Sequence, residues 1–237
     1  MYRGVYIALS GAVLGQDHLD VITHNLANAN TAGFKRERLS FRDFLLSRMT
    51  GVPDPADGRI MTEVGAATVD LSTGNLVRTG NPLDVALDGQ GFIALEGGRY
   101  TRKGDLQIDR DGWLRTRAGL RLLGEDGRPI RLPQGKVEIA PTGEIRVDGE
   151  PAGSIRVVDF PDPSALKGGA AGQFTAAGEP RPARARVVQG HLETANVNVI
   201  QEMVLLVAAM REFETYQKAI HAFDEAASKV NNDLARI

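Results

Sequence analysis

The chain contains no cysteine. That excludes disulfide cross-links, thiolate metal sites and cysteine nucleophiles. Aromatic residues make up only 5% of it, too few for the stacked platforms that hold single-stranded nucleic acid. The formal net charge is −2, so no overall field draws it to nucleic acid or to anionic membranes. Long hydrophobic runs are missing too. The longest, residues 203–210, falls far short of the roughly 20 residues that span a bilayer. The first 14 residues are moderately apolar, but Ser10-Gly11 interrupts them and no small-residue cleavage site follows. Neither nucleic-acid binding, membrane insertion nor a cleaved signal is expected.

Glycine and proline are absent from the last 42 residues, 196–237. All 11 prolines lie between Pro53 and Pro182, and 21 of the 27 glycines lie between Gly65 and Gly190. The distribution predicts a middle built of short strands and turns between two helical ends. Strands are expected at 67–71, 75–78, 84–87, 92–95, 100–102, 106–108, 137–139, 144–147, 155–160 and 184–189. Asp-Gly turns at 111, 126 and 148 separate some of them. Residues 51–58 and 167–182 read as loops.

At the N-terminus, Val5, Leu9, Leu19, Ile22 and Leu26 recur at helical spacing. Gly4, Gly11 and Gly15 weaken this helix in isolation, so it is expected to gain order by packing. It should stop in the Asn- and Gly-rich stretch 25–33, where a left-handed backbone is tolerated. The C-terminal helix should begin near Asn196 or Asn198, with Asn198 and Gln201 as a capping box. One face reads Val199, Met203, Leu206, Met210, Phe213, then Tyr216, Ile220, Phe223, Ala227, Val230 and Leu234. This is a coiled-coil seam with one phase slip between Phe213 and Tyr216. Glu214 with Lys218 and Glu225 with Lys229 are spaced as helical ion pairs. Residues 203–210 are apolar around the whole circumference, which one partner helix cannot cover. The surplus surface predicts contacts with further subunits.

Chemical motifs are scarce. Gly89-Gln90-Gly91 lacks the third glycine of a dinucleotide loop and precedes a strand, so a hairpin turn is expected. Asp109-Arg110-Asp111-Gly112 lacks the ligands of a calcium loop. His18, His24, His191 and His221 have no metal-ligand spacing, and no nucleophile elbow is present. Neither a catalytic residue, a cofactor nor a metal is predicted. Two basic clusters, Lys35-Arg36-Glu37-Arg38 and Arg181, Arg184 and Arg186, read as solvated surface or as contacts between subunits. A β-domain binding module or enzyme with helical oligomerisation arms is the reading from another class. It needs a convergent polar site, and the sequence shows none.

Four stretches carry a family resemblance: residues 19–36, 79–92, 100–106 and 189–198. In order along nearly the whole chain, they resemble the signatures of bacterial flagellar rod and hook proteins. His24 stands where the family often has Asn or Ser, and Asp105 where Asn is common. The resemblance implies an α+β fold, with N- and C-terminal helices pairing as a coiled coil and a mainly antiparallel β middle domain. Residues 1–33 and 196–237 would form a helical tube-forming core, 34–80 an extended connection and 81–195 a β-rich outer domain. Asn25, Asn28, Thr31, Gly33, Phe34, Asn196 and Asn198 would form the joint. Val5, Leu9, Leu19, Ile22, Leu26, Val199, Met203, Leu206, Met210, Phe213, Ile220 and Phe223 would form the assembly interface. The implied function is mechanical: an axial rod subunit, distal-rod or hook-type subunits being the alternatives, that self-assembles into a torque-transmitting tube around the export channel. Its implied partners are copies of itself, other rod subunits and the flagellar type III export apparatus. Its implied place is the periplasm-spanning basal-body rod.

Overall fold

The computed structural model describes residues 2–39, 41–45, 60–64, 68–162, 166–169 and 172–234. The chain divides into two compact units. One holds Met1–Ala27, Glu37–Thr68 and Asn198–Ile237; the other holds Asn28–Arg36 and Val69–Val197. Two terminal helices and a mainly antiparallel β middle make up the fold.

In the first unit, helix α1 (Tyr2–Ala27) packs side by side with helix α2 (Val199–Leu234). Their direction follows from the facing pairs. Gly4 meets Phe223, Gly11 meets Tyr216 and Gly15 meets Phe213, while Asn25 bonds Glu202. Rising numbers on one helix match falling numbers on the other, so the pair is antiparallel. The three glycines that weaken α1 locally are the seats for three aromatic rings. The Asn198 side chain caps α2 by accepting from the backbone N–H of Ile200 and Gln201 at 3.1 and 3.2 Å. The return bond of a capping box, from Gln201, is absent among the described residues. Nor do Glu214 with Lys218 or Glu225 with Lys229 form ion pairs there; all four side chains are exposed and pairing gains them little. A hairpin pairs Phe41–Leu45 with Ile60–Val64. The loop expected at 51–58 lies outside the described residues.

The second unit is built on antiparallel strands. A six-stranded sheet runs in the order Leu166–Gly168, Gln173–Ala176, Arg99–Thr101, Phe92–Leu95, Val157–Asp159, Arg181–Pro182. The stretch 167–182, read as a loop, thus supplies strands in place of a bare connection. Its Gly and Ala content hides the pairing, which backbone bonds to Arg99–Thr101 and Val157–Asp159 provide. Leu114–Thr116 and Glu150–Ser154 are likewise strands the sequence did not announce. Gly89–Gly91 does not close a hairpin. Val85–Asp88 pairs with Arg186–Gln189, and Phe92–Leu95 with Arg99–Thr101, so the bend carries the chain from one sheet to another.

The main core gathers Val85, Leu87, Ile93, Leu95, Leu114, Leu122, Ile145 and Ile155 with their neighbours. A second cluster is aromatic, with Phe92 against Phe174 at 5.3 Å and Tyr100 against Phe160 at 4.8 Å between ring centroids. Gly104 lies so close to the carbonyl oxygen of Val85 that no β-carbon fits there.

Asp105 sits half-buried beside this core. Burial pushes its carboxyl above the ordinary 3.8, against the pull of Lys103 and Arg117. A carboxyl raised by folding holds its proton more tightly in the native state, so stability falls as pH rises above about 3.8. Asp105→Asn should remove that decline, giving a urea midpoint that exceeds wild type by more at pH 7 than at pH 4. Parallel profiles for the two proteins would show that Asp105 contributes no such slope.

Candidate assembly site and joint

Local helix formation and burial together decide which side chains α1 and α2 leave outside. The buried or half-buried line along α2 runs Glu202, Leu206, Ala209, Phe213, Tyr216, Ile220, Phe223 and Ala227. Its steps alternate four and three without interruption, and the phase slip read from the sequence disappears. Val199, Met203 and Met210 lie off this line and are exposed. The physical reason is closeness of approach. The rings of Phe213, Tyr216 and Phe223 sit where α1 presents glycine, and Glu202 and Ala209 continue that face, so Met203 and Met210, one position off it, fall outside.

Two exposed apolar stretches result. One near the start of α2 comprises Ile200, Met203, Val204 and Val207, with Met203 at 55% and Val204 at 65% exposure. The other, near the start of α1, comprises Tyr6, Ile7, Leu9 and Val13. The antiparallel pairing puts them toward opposite ends of the helix pair. Of the residues singled out from the sequence, Ile22 is buried, and Val5, Leu19, Leu26, Leu206, Phe213, Ile220 and Phe223 are half-buried. Leu9, Val199, Met203 and Met210 are exposed.

Asn25 is buried and makes a two-point bond with the backbone of Glu37. Its Nδ2 donates to the Glu37 carbonyl, and its Oδ1 accepts from the Glu37 N–H, both at 2.9 Å. A side-chain amide with one donor and one acceptor edge suits this role as few other side chains do. In the second unit, Thr31 N–H donates to Asn28 O at 2.9 Å and Phe34 N–H to Thr31 O at 3.2 Å, forming a double turn. Gly33 takes φ +67°, while the asparagines around it keep negative φ. Asn196 accepts from the Arg36 N–H at 2.7 Å and donates to the carbonyls of Asp70 and Ser72. Phe34 is buried.

Within the second unit lies a charge cluster that sequence reading missed. Lys35, read as surface, is 2% exposed. Its Nζ reaches Glu193 Oε1 at 2.6 Å and the Ser72 carbonyl at 2.6 Å. Glu193, 1% exposed, also meets Arg102 Nη1 at 3.3 Å and accepts the Gly74 N–H at 2.8 Å. Arg102 donates to the carbonyls of Leu87 at 3.1 Å and Gly89 at 2.6 Å. The Gly33 N–H donates to the Glu193 carbonyl at 2.7 Å. Burial lowers the Lys35 ammonium from its ordinary value, with Glu193 pulling it back up, and lowers Arg102 in the same way. Three of the four stretches that carry the family resemblance thus supply a charge to this cluster, and the fourth, 79–92, supplies the carbonyls that hold Arg102. Their distance in sequence hid this; a charged residue inside three of the motifs was the available signal.

Among the described residues no group of three His, Asp or Glu is placed to hold a metal ion. A groove of about 890 Å³ beside Val137–Ile139 is lined by charges that pair with each other, Lys136 with Glu138 and Arg146 with Glu144. No described helix is long and apolar enough to cross a membrane.

Three family descriptions match the chain. Residues 5–35 match "Flagella basal body rod protein", 86–147 match "Flagellar hook protein FlgE/F/G D1 domain", and 188–233 match "Flagellar basal body rod FlgEFG protein C-terminal". The chain is 32% identical to the flagellar basal-body rod protein FlgG of Agrobacterium fabrum, over 98% of this chain and 99% of that one. It is 31% identical to FlgG of Bacillus subtilis, over 98% and 99%. It is also 31% identical to the rod protein FlgF of Escherichia coli, over 99% of each. With such identity sustained from end to end, the chain belongs to the flagellar basal-body rod protein family.

Proposed function

We propose that this chain is a structural axial subunit of the bacterial flagellar basal-body rod, assembling with copies of itself and with other rod subunits. The observation that carries this reading is the exposed apolar surface near the start of α2. Met203, Val204 and Val207 together cover a stretch that a solitary soluble helix pair leaves costly in water. Neighbouring subunits remove that cost by burying it. Heptad spacing from Glu202 to Ala227 supports a coiled-coil pairing of α1 with α2. In this reading residues 1–33 and 196–237 line the tube, 34–80 connect, and 81–195 lie outside. The tube transmits torque and encloses the export channel, and the chain reaches the rod through the type III apparatus without a cleaved signal. The finer reading is a proximal position in the rod. It is supported by resemblance of residues 217–229 to the proximal branch, with a distal position as the alternative. Deleting the gene and finding where basal-body assembly stops separates the two.

Met203→Asp tests the assembly reading. Met203 is exposed, so a charge there leaves the helix pair intact but places a carboxylate in the proposed contact. Leu206→Asp is less clean because Leu206 is half-buried within the pair. A strain carrying Met203→Asp should export the protein yet show basal bodies with a truncated rod by electron microscopy and no swimming. Wild-type rods and motility would overturn the reading.

A further inference from the structure

One face of the β-rich unit collects three arginines around one tryptophan. Leu114 and Thr116 are buried, so the alternate residues Trp113 and Arg115 turn to the other side. Antiparallel bridges set Arg115 directly opposite Arg121 and Trp113 directly opposite Arg131, which places all four on one face. The guanidinium carbon of Arg121 lies 4.7 Å from the indole centroid and that of Arg131 5.7 Å. Both guanidinium groups lie within cation–π reach of the indole, a contact that takes up none of their N–H donors.

The face gathers three guanidinium charges close together. Arg115 and Arg121 are like charges directly across a strand pair, an arrangement that repels. Among the described residues none of these three arginines forms an ion pair. Arg131 spends its Nε on the Asp111 carbonyl at 2.8 Å. Arg115 Nε is buried with no hydrogen-bond partner. The carboxylates of the neighbouring segments bond groups other than these guanidiniums. Asp105 takes Arg117 at 3.2 Å and Lys103 at 4.0 Å, and Asp109 Oδ1 accepts the N–H groups of Asp111 and Trp113. Glu96 Oε1 accepts the backbone N–H of Arg121 at 3.3 Å.

We infer that this face docks a carboxylate-bearing surface of a second copy of this chain. A planar guanidinium edge matches a carboxylate with two parallel bonds. The net charge is −2 in spite of the three arginines, so the rest of the chain is anionic and complementary to this face. A contact between two unlike surfaces is heterologous, and such contacts propagate into helical arrays instead of closing into a dimer. The inference rests on the self-assembly reading above and adds to it a contact on the β-rich unit.

Trp113 is the chain's single tryptophan, so its fluorescence reports this face directly. At low salt the full chain should show a fluorescence change that depends on protein concentration. Added NaCl should weaken it, and polyglutamate should compete with it. Arg115→Gln combined with Arg121→Gln should move the midpoint to at least tenfold higher concentration. Arg115→Lys with Arg121→Lys should fall between, because charge is kept and the fork is lost. The urea midpoint of each variant should match or exceed wild type, which establishes that it folds. A wild-type signal independent of concentration would overturn the inference, as would an unshifted midpoint in the Gln variant. Inorganic phosphate competing as well as polyglutamate would reduce the face to a small-anion site and overturn it equally. Met203→Asp should leave the Trp113 midpoint within about twofold, consistent with a separate contact. If Met203→Asp blocks rod assembly but the Gln variant is unshifted, this inference fails and the helical reading stands.

Discussion

Replacing Glu193 with alanine is expected to destabilise the β-rich unit by about 3–5 kcal/mol, because one partner of a buried ion cluster is removed and its mates stay behind. Glu193 is the single carboxylate that Lys35 and Arg102 share, and all three side chains are nearly inaccessible to water. Without it two buried cations face each other, and the Gly74 N–H loses its acceptor. The Gly33 N–H keeps its bond, since it uses the Glu193 backbone carbonyl. Lys35→Met should cost clearly less. It leaves Glu193 with Arg102 and the Gly74 N–H, and it removes an ammonium that burial already disfavours. Urea unfolding followed by Trp113 fluorescence measures both variants. Equal losses, or a larger loss for Lys35→Met, would show that the carboxylate is not the organising charge.

Gly11→Leu should separate α1 from α2, with an expected loss of about 1–3 kcal/mol for overpacking and more if the register shifts. A β-carbon at Gly11 already overlaps the ring of Tyr216, and a leucine brings three further carbons. Local propensity argues the other way, since replacing an interior glycine favours an isolated helix by roughly 0.5–1 kcal/mol. The sign of the result therefore decides between propensity and packing. Circular dichroism at 222 nm should show a lower melting temperature for Gly11→Leu, and for Gly4→Leu at its seat on Phe223. Val13→Leu, at an exposed position of the same helix, should change little. A melting temperature raised by all three would mean that the rings do not set the spacing of the helices.

Much of the architecture was legible without coordinates. The helical ends followed from absent glycine and proline, and the Asn198 cap from its position before an apolar periodic run. Strands such as Phe92–Leu95 and Glu144–Val147 followed from β-branched and aromatic content. Gln173–Ala176 did not, because its order comes from pairing with Arg99–Thr101 and not from its composition. The apolar surface near Met203 was also legible, but its division into a covered and an open side was not. That depends on which residues the antiparallel register brings against α1.

By itself the sequence determined a β-rich middle between two helices, the absence of thiol chemistry, and an apolar segment too large for one partner helix. These follow from local rules of spacing, turn residues and hydrophobicity. The tertiary structure alone decided that α1 and α2 run antiparallel, that glycines seat the aromatic rings, and that Lys35 is buried against Glu193. Each depends on residues far apart in the chain meeting at one place. Side-chain volume and charge neutralisation act there, and neither leaves a periodic trace in the sequence.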